Sequence, residues 1–219
     1  MGVRPYGAYV FSYIRVLFPF HAAAWNATFE PIQRMLDEPN HAKRDELTAK
    51  WRDNAGTQLN TIVVTSALFA GVITAAYSWP VLARLDITSQ TTVMAIWYSA
   101  LVFSLASIAT SAQQSVALTR LGSHPEGLKK TRELLGNNLG AGWEPNKLQL
   151  FIWQTPLSML NTSVVMFMIG LVVLVWQSVS PAWTGNDIKV VTIFTLTLVY
   201  VSCLYLMSNY GIYYRIRRP

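Results

Sequence analysis

The chain is short of charge, of histidine and of cysteine, and each scarcity excludes something. Asp, Glu, Lys and Arg make up 13% of its 219 residues, about half the share of a soluble domain. Apolar residues make up 52%, so a surface hydrated all round is not expected. The three histidines, His21, His41 and His124, stand far apart. No His, Cys or acidic group sits at metal-ligand spacing, and no metal site is expected. Cys203 is the sole cysteine, which rules out an intrachain disulfide. It has no base near it in sequence and does not read as a nucleophile. "GNNLGAGW" (Gly136–Trp143) has three glycines but no following Lys-Ser or Lys-Thr. It reads as a flexible loop, not a phosphate cradle. With no catalytic constellation visible, neither enzyme activity nor a cofactor is expected.

What is present in quantity is long uncharged sequence. Four runs contain no Asp, Glu, Lys, Arg or His: residues 60–79, 92–118, 148–177 and 190–214. A helix of about 20 residues covers the hydrocarbon core of a bilayer, and all four runs suffice. The expected fold is all-α, an integral membrane four-helix protein, with residues 60–214 as the membrane domain. Pro80 ends the first run, and "SPAWTGND" (Ser180–Asp187) reads as a turn. The loop 119–147 should hold a short helix from about Pro125 to Leu135, stopped by Gly136 and Asn137.

Residues 1–39 form an amphipathic N-terminal region. Tyr6–Trp25 is apolar and aromatic but carries Arg15 and Pro19 near its middle. A central Arg costs a few kcal/mol in a span. The segment therefore reads as an interfacial helix kinked at Pro19, not a fifth span. Asn26-Ala27-Thr28 is a glycosylation sequon, and a glycan there would place the segment on the lumenal side. Residues 40–59 read as a cytosolic helix: Asn40 can cap it, Glu46 precedes Lys50 by four, and Leu47 and Trp51 share a face. No proline parts it from the first run, so one long helix is expected.

Lys and Arg set the orientation. Fifteen lie in residues 1–59, the middle loop and the tail, against two, Arg84 and Lys189, in the short links. The positive-inside bias puts both termini and the middle loop in the cytosol, in the plasma membrane or an endomembrane. Trp79, Trp97, Trp176 and Trp183 are then expected at the outer interface. Trp51, Trp143, Trp153 and Tyr210–Tyr214 are expected at the inner one. The net charge of +6 belongs to these flanks, so membrane lipid is the expected partner and nucleic acid is not. Lys129, Lys130 and Arg132 form a candidate site for anionic lipid headgroups, against the plain alternative of ordinary positive-inside bias.

Spans without ionisable groups exclude a proton relay or a voltage sensor. Hydroxyls, amides and constrictions could still make a pore. Along the first span Asn60, Val64, Ala67, Gly71, Thr74 and Ser78 form a small, partly polar stripe, with Ala67, Gly71 and Ala75 at small-xxx-small spacing. Close helix packing and pore lining both fit it. In the second span Ser104, Ser107, Ser111 and Gln114 share a face with Ala100. Gln154, Ser158 and Asn161 recur at helical spacing in the third. Antiparallel neighbours would bring these two sets to one depth as interhelical polar packing. Pro156 frees the carbonyl of Ile152, which a neighbouring hydroxyl or amide should satisfy.

"WRDNAGTQLNTIVVTSALFAGVITAAYSWP" (Trp51–Pro80), "SIATSAQQSVALTRL" (Ser107–Leu121) and "LQLFIWQTP" (Leu148–Pro156) resemble a family of uncharacterised multi-span membrane proteins from filamentous fungi. The resemblance covers roughly residues 50–212 and implies a fungal membrane protein. The layout is more weakly similar to Orai-type channel subunits, which have four spans, cytosolic termini and a first span that extends into the cytosol and lines a pore. "TSALFAG" (Thr65–Gly71) is similar to the start of that pore helix. Trp79 then stands where that family has its acidic selectivity residue, so the resemblance does not extend to calcium selectivity.

Four helices packed on their own core leave no lumen. A channel would need a homo-oligomer, with the first-span stripe toward the axis. The expected function is a homo-oligomeric channel or pore-forming protein. The alternative is a non-transporting scaffold or accessory subunit that uses the N-terminal region and the middle loop.

Overall fold

The structure, a computed structural model, describes residues 19–138, 143–179 and 185–216, with side chains for 28–137, 143–179 and 185–208. Among these residues the chain forms helices α1 (Pro19–Asp37), α2 (His41–Ala76), α3 (Ile87–Gly122), α4 (Gly127–Leu135), α5 (Lys147–Ser178) and α6 (Gly185–Ile216). A 3₁₀ turn, Leu82–Arg84, joins α2 to α3. Strands β1 (Gly136–Asn138) and β2 (Trp143–Pro145) pair antiparallel between α4 and α5. The fold is all-α, and α2, α3, α5 and α6 are each long and apolar enough to cross a membrane.

Side-chain caps set three of these helix starts. Asn40 Oδ1 accepts from the N–H groups of Ala42 (3.0 Å) and Lys43 (3.3 Å). Asp86 Oδ2 accepts from Ser89 N (3.0 Å), and Asn146 Oδ1 from Leu148 N (3.0 Å) and Gln149 N (3.4 Å). Each cap satisfies backbone donors that have no partner inside the helix. α2 then runs unbroken through Gly56 for 36 residues, about 54 Å at 1.5 Å per residue. Nearly half of it therefore projects beyond a hydrocarbon core of about 30 Å. The polar stretch 40–59 and the first span are one rod.

Two cores hold the molecule. In the first, Trp97 from α3 is fully buried with Val93 and Ala100, against Ile73 and Ala76 of α2 and Phe167 and Leu174 of α5. Gly170 makes this closeness possible. A Cβ there would lie 2.2 Å from Trp97 Nε1 and 2.4 Å from its Cδ1. Trp97 is thus a core residue and not part of an outer aromatic belt, whereas Trp79 and Trp176 are exposed.

The second core lies where α1, α4, the hairpin and the start of α5 meet. Ile32, Met35 and Leu36 of α1 are buried with Leu135 and Leu150. Leu47, Trp51, Trp143 and Trp153 pack around them, so these three tryptophans are partly buried packing residues. The helical periodicity of Phe29, Ile32, Met35 and Leu36 points inward onto α4 and β2, which extends the N-terminal region beyond an interfacial helix. "GNNLGAGW" is not simply a flexible loop: both its ends are strands. Gly136 sits so close that a Cβ would meet Leu36 Cδ1 at 2.8 Å. The expected interfacial segment before Pro19, the hairpin tip 139–142, most of the turn at 180–187 and the end of the basic tail lie outside the described residues, as do the side chains of Tyr210–Tyr214.

α6 is peripheral. It packs against α1, Val191 is buried, and every residue from Val199 to Ser208 is exposed.

Candidate functional site

Two polar features run through the membrane-spanning helices, one inward and one outward. The inward one is a seam of serines. Ser66 of α2 and Ser104, Ser107 and Ser111 of α3 are fully buried, as is Ser163 of α5. Ser104 Oγ donates to Ser66 O (2.7 Å), and Ser66 Oγ donates to Ser107 Oγ (3.1 Å). Ser107 Oγ passes the chain on to Pro156 O (2.8 Å). Ser163 Oγ donates to Ala100 O (2.6 Å), and Trp97 Nε1 to Phe167 O (3.3 Å). Bonds of this kind contribute about 0.6 kcal/mol each on average in a membrane helix bundle. Five together lock the register of α2, α3 and α5.

Pro156 explains one more member. It has no N–H, so the Ile152 carbonyl lacks its helical donor. Gln114 Nε2 supplies that donor at 2.7 Å. Gln114 Oε1 and Ser111 Oγ are buried with no partner among the described residues.

The structure therefore brings Ser104, Ser107 and Gln114 into the α2–α3–α5 seam. Two of the residues expected opposite them, Gln154 and Asn161, lie elsewhere. Gln154 turns away from α3 and donates to Thr28 Oγ1 of α1 (3.0 Å). Asn161 is exposed. Ser158 is half-buried, and its carbonyl accepts from Thr162 Oγ1 (2.9 Å). The physical reason is rotational. Pro156 and Ser163 occupy the buried face of α5, and Gln154 and Asn161, two residues earlier in each case, point about 200° away at 100° per residue. Sequence reading missed Ser66 and Ser163. The available signal was Leu59, Ile62, Ser66, Ala70 and Ile73, an apolar stripe with one serine in it.

The outward feature is the α2 stripe. Asn60, Val64, Ala67, Gly71, Thr74 and Ser78 are all exposed, and among the described residues a Cβ at Gly71 would meet nothing within 4 Å. The buried face of α2 (Leu59, Ile62, Ser66, Ala70, Ile73, Ala76) is the other one. The hydroxyls spend their protons on their own helix: Thr74 Oγ1 donates to Ala70 O (2.8 Å) and Ser78 Oγ to Ala75 O (2.7 Å). Thr57 and Thr61, also exposed, do the same toward Asp53 O and Thr57 O (both 3.0 Å). These hydroxyls have oxygen lone pairs left to offer, and the Asn60 amide adds two donors and an acceptor.

The basic group in the middle loop is divided. Arg132 Nη1 is 2.5 Å from Asp45 Oδ1 and 3.3 Å from Thr48 Oγ1, which clamps α4 to α2. Arg132 is thus withdrawn from a headgroup role, while Lys129 and Lys130 stay exposed. Lys129 lies 3.7 Å from exposed Glu126, and Lys130 Nζ contacts His124 Nε2 at 2.7 Å. Next to this end of the molecule, a cavity of about 310 Å³ opens between α1, α2 and α5.

Among the described residues no group of three His, Cys, Asp or Glu could hold a metal. No protein-family profile, curated protein or solved structure matches the chain.

Proposed function

We propose that this four-span membrane protein assembles as a homo-oligomeric channel in which the outward stripe of α2 lines the axis. The carrying observation is the opposition of faces on α2. Its packed side and the serine seam fill the subunit's interior, and its small, hydroxyl-bearing side is left uncovered. A conduit then runs between subunits and not through one. Small residues allow helices to approach an axis closely. Asn60, Thr74 and Ser78 supply polar atoms, and Val64 a dewetting constriction. Because the Thr and Ser protons are tied to backbone carbonyls, the hydroxyls of the lining present acceptors, and with only the Asn60 amide adding donors the balance favours cations over anions. No formal charge in the lining distinguishes calcium from monovalent cations.

The test is oligomeric state in nanodiscs together with potassium and chloride flux in liposomes. A ring of four to six subunits passing potassium faster than chloride supports the reading, and a monomer without flux overturns it. Gly71→Trp separates fold from function, because the subunit has empty space there. Its monomer stability should stay the same while flux is lost. Unchanged flux would remove α2 from the axis.

A second reading, a non-transporting scaffold or accessory subunit with cytosolic termini, is favoured by α6. A span exposed from Val199 to Ser208 suits a surface that meets another protein.

A further inference from the structure

The cavity between α1, α2 and α5 straddles the level at which α2 changes from polar to apolar. Its polar lining comes from Thr28, Asn54, Gln58 and Gln154, and its apolar lining includes Leu59 and Ile62, which belong to the first span. Trp51 and Trp153 flank it in an edge-to-face pair, with ring centroids 5.5 Å apart. Trp153 Nε1 is closed off from solvent and has no acceptor among the described residues. Among the described residues no Asp, Glu, Lys, Arg or His lines the space.

We infer that this cavity binds the uncharged, hydroxyl-bearing headgroup of a neutral membrane lipid, a sterol or a diacylglycerol. Polarity decides the depth. Along α2 the amides of Asn54 and Gln58 come before Leu59 and Ile62 of the first span, which is the order in which a lipid at its own depth offers head and chain. Charge decides the class. A phosphate would enter a described lining that offers it no cation, and an unpaired charge is costly to take out of water. A hydroxyl or ester needs only donors and acceptors, and the exposed amides of Asn54 and Gln58 carry both. Tryptophan is the residue best suited to an interface with one apolar and one polar side. The volume lies at the small end of the range for ligand sites, about 300 to 1,000 Å³. It admits a headgroup and the first carbons of its chain. Anionic lipid belongs elsewhere, at exposed Lys129 and Lys130.

Native mass spectrometry of the full chain in detergent tests this with four added lipids: dioleoylglycerol, cholesterol, dioleoylphosphatidylcholine and dioleoylphosphatidylserine. One of the two neutral lipids should give a one-to-one adduct at least tenfold more abundant than phosphatidylcholine, and which of them does so identifies the source. Ala55→Phe should fill the cavity and reduce that adduct at least tenfold, with phosphatidylserine adducts unchanged. Ala55 is half-buried, so a fold control is needed. Gln58→Glu, at an exposed position, places a charge in the lining and should weaken the same adduct without disturbing packing. Neutral-lipid adducts no stronger than phosphatidylcholine, or adducts indifferent to both substitutions, would overturn the inference. None of these outcomes depends on whether the protein conducts ions.

Discussion

Single atoms decide the α3–α5 contact. Gly170 lies so close to Trp97 that Gly170→Ala forces one helix away from the other. Overpacking of this sort costs about 1–3 kcal/mol, so the variant should unfold earlier in a detergent thermal scan, while Gly71→Ala, with open space for its Cβ, should unfold no earlier than the wild type. Gln114→Leu removes the donor to the Ile152 carbonyl and should cost about 0.6–1.7 kcal/mol, the range of such bonds in membranes. An equally stable Gln114→Leu would mean that the carbonyl needs no repair. That a repair group was required was legible from Pro156 alone, because proline lacks a proton wherever it stands. That Gln114 would be the donor, and Gln154 would not, was not legible. The two amides carry the same chemistry, and only the rotation of α5 separates them. Asp86 supplies a pH-dependent cap. Hydrogen bonds from the Ser89 side chain and then the Ser89 backbone hold its carboxyl below the usual carboxylate range. Its contribution is present above the unfolded value near 3.9 and is lost as pH falls through the lower folded value. The stability gap between wild type and Asp86→Ala should therefore be widest at neutral pH and close in strong acid.

At the scale of elements, the two cores differ in the force that holds them. Lipid is as apolar as leucine, so α2, α3 and α5 gain little from burial and depend on close packing and the serine bonds. The core of Ile32, Met35, Leu36, Leu135 and Leu150 joins α1 and α4 to the first turn of α5, at the edge of the spans, and burial from water drives it. Leu36→Ala should cost about 2–5 kcal/mol there. Hydrogen exchange should then rise in α1 and α4 and not in the middle of α3. Uniform exchange across the molecule would contradict this separation of cores. Arg132→Ala breaks the clamp to Asp45 but should leave co-purified anionic lipid unchanged, whereas Lys129→Ala with Lys130→Ala should lower it. The short helix before Gly136 was readable from its stop signals. The hairpin that follows was not, because three glycines in eight residues carry no strand pattern. Its pairing depends on Leu36 arriving from a distant helix to cover Gly136.

For the whole molecule, the open question is what covers α2 and α6. In the channel reading we assign α6, which packs on α1, to the lipid-facing side. A fluorescent label on Cys203, exposed and the only thiol, should then be quenched by brominated lipid in reconstituted vesicles. A label shielded from brominated lipid would favour the scaffold reading, in which another protein covers α6.

Four uncharged runs, a basic bias on alternate connections and the caps at Asn40 and Asp86 follow from the sequence by itself. Run length, charge and backbone capping are local properties, fixed by which residues are neighbours along the chain. The tertiary structure decided which face of each helix is inside. The α2 stripe turned outward, Gln154 turned to α1, Arg132 was taken up by Asp45, and Trp97 left the interface for the core. Each of these depends on how a helix is rotated about its axis. In lipid that rotation comes from the fit of Gly170 to Trp97 and of serine to carbonyl, not from hydrophobicity, which is nearly the same on every face.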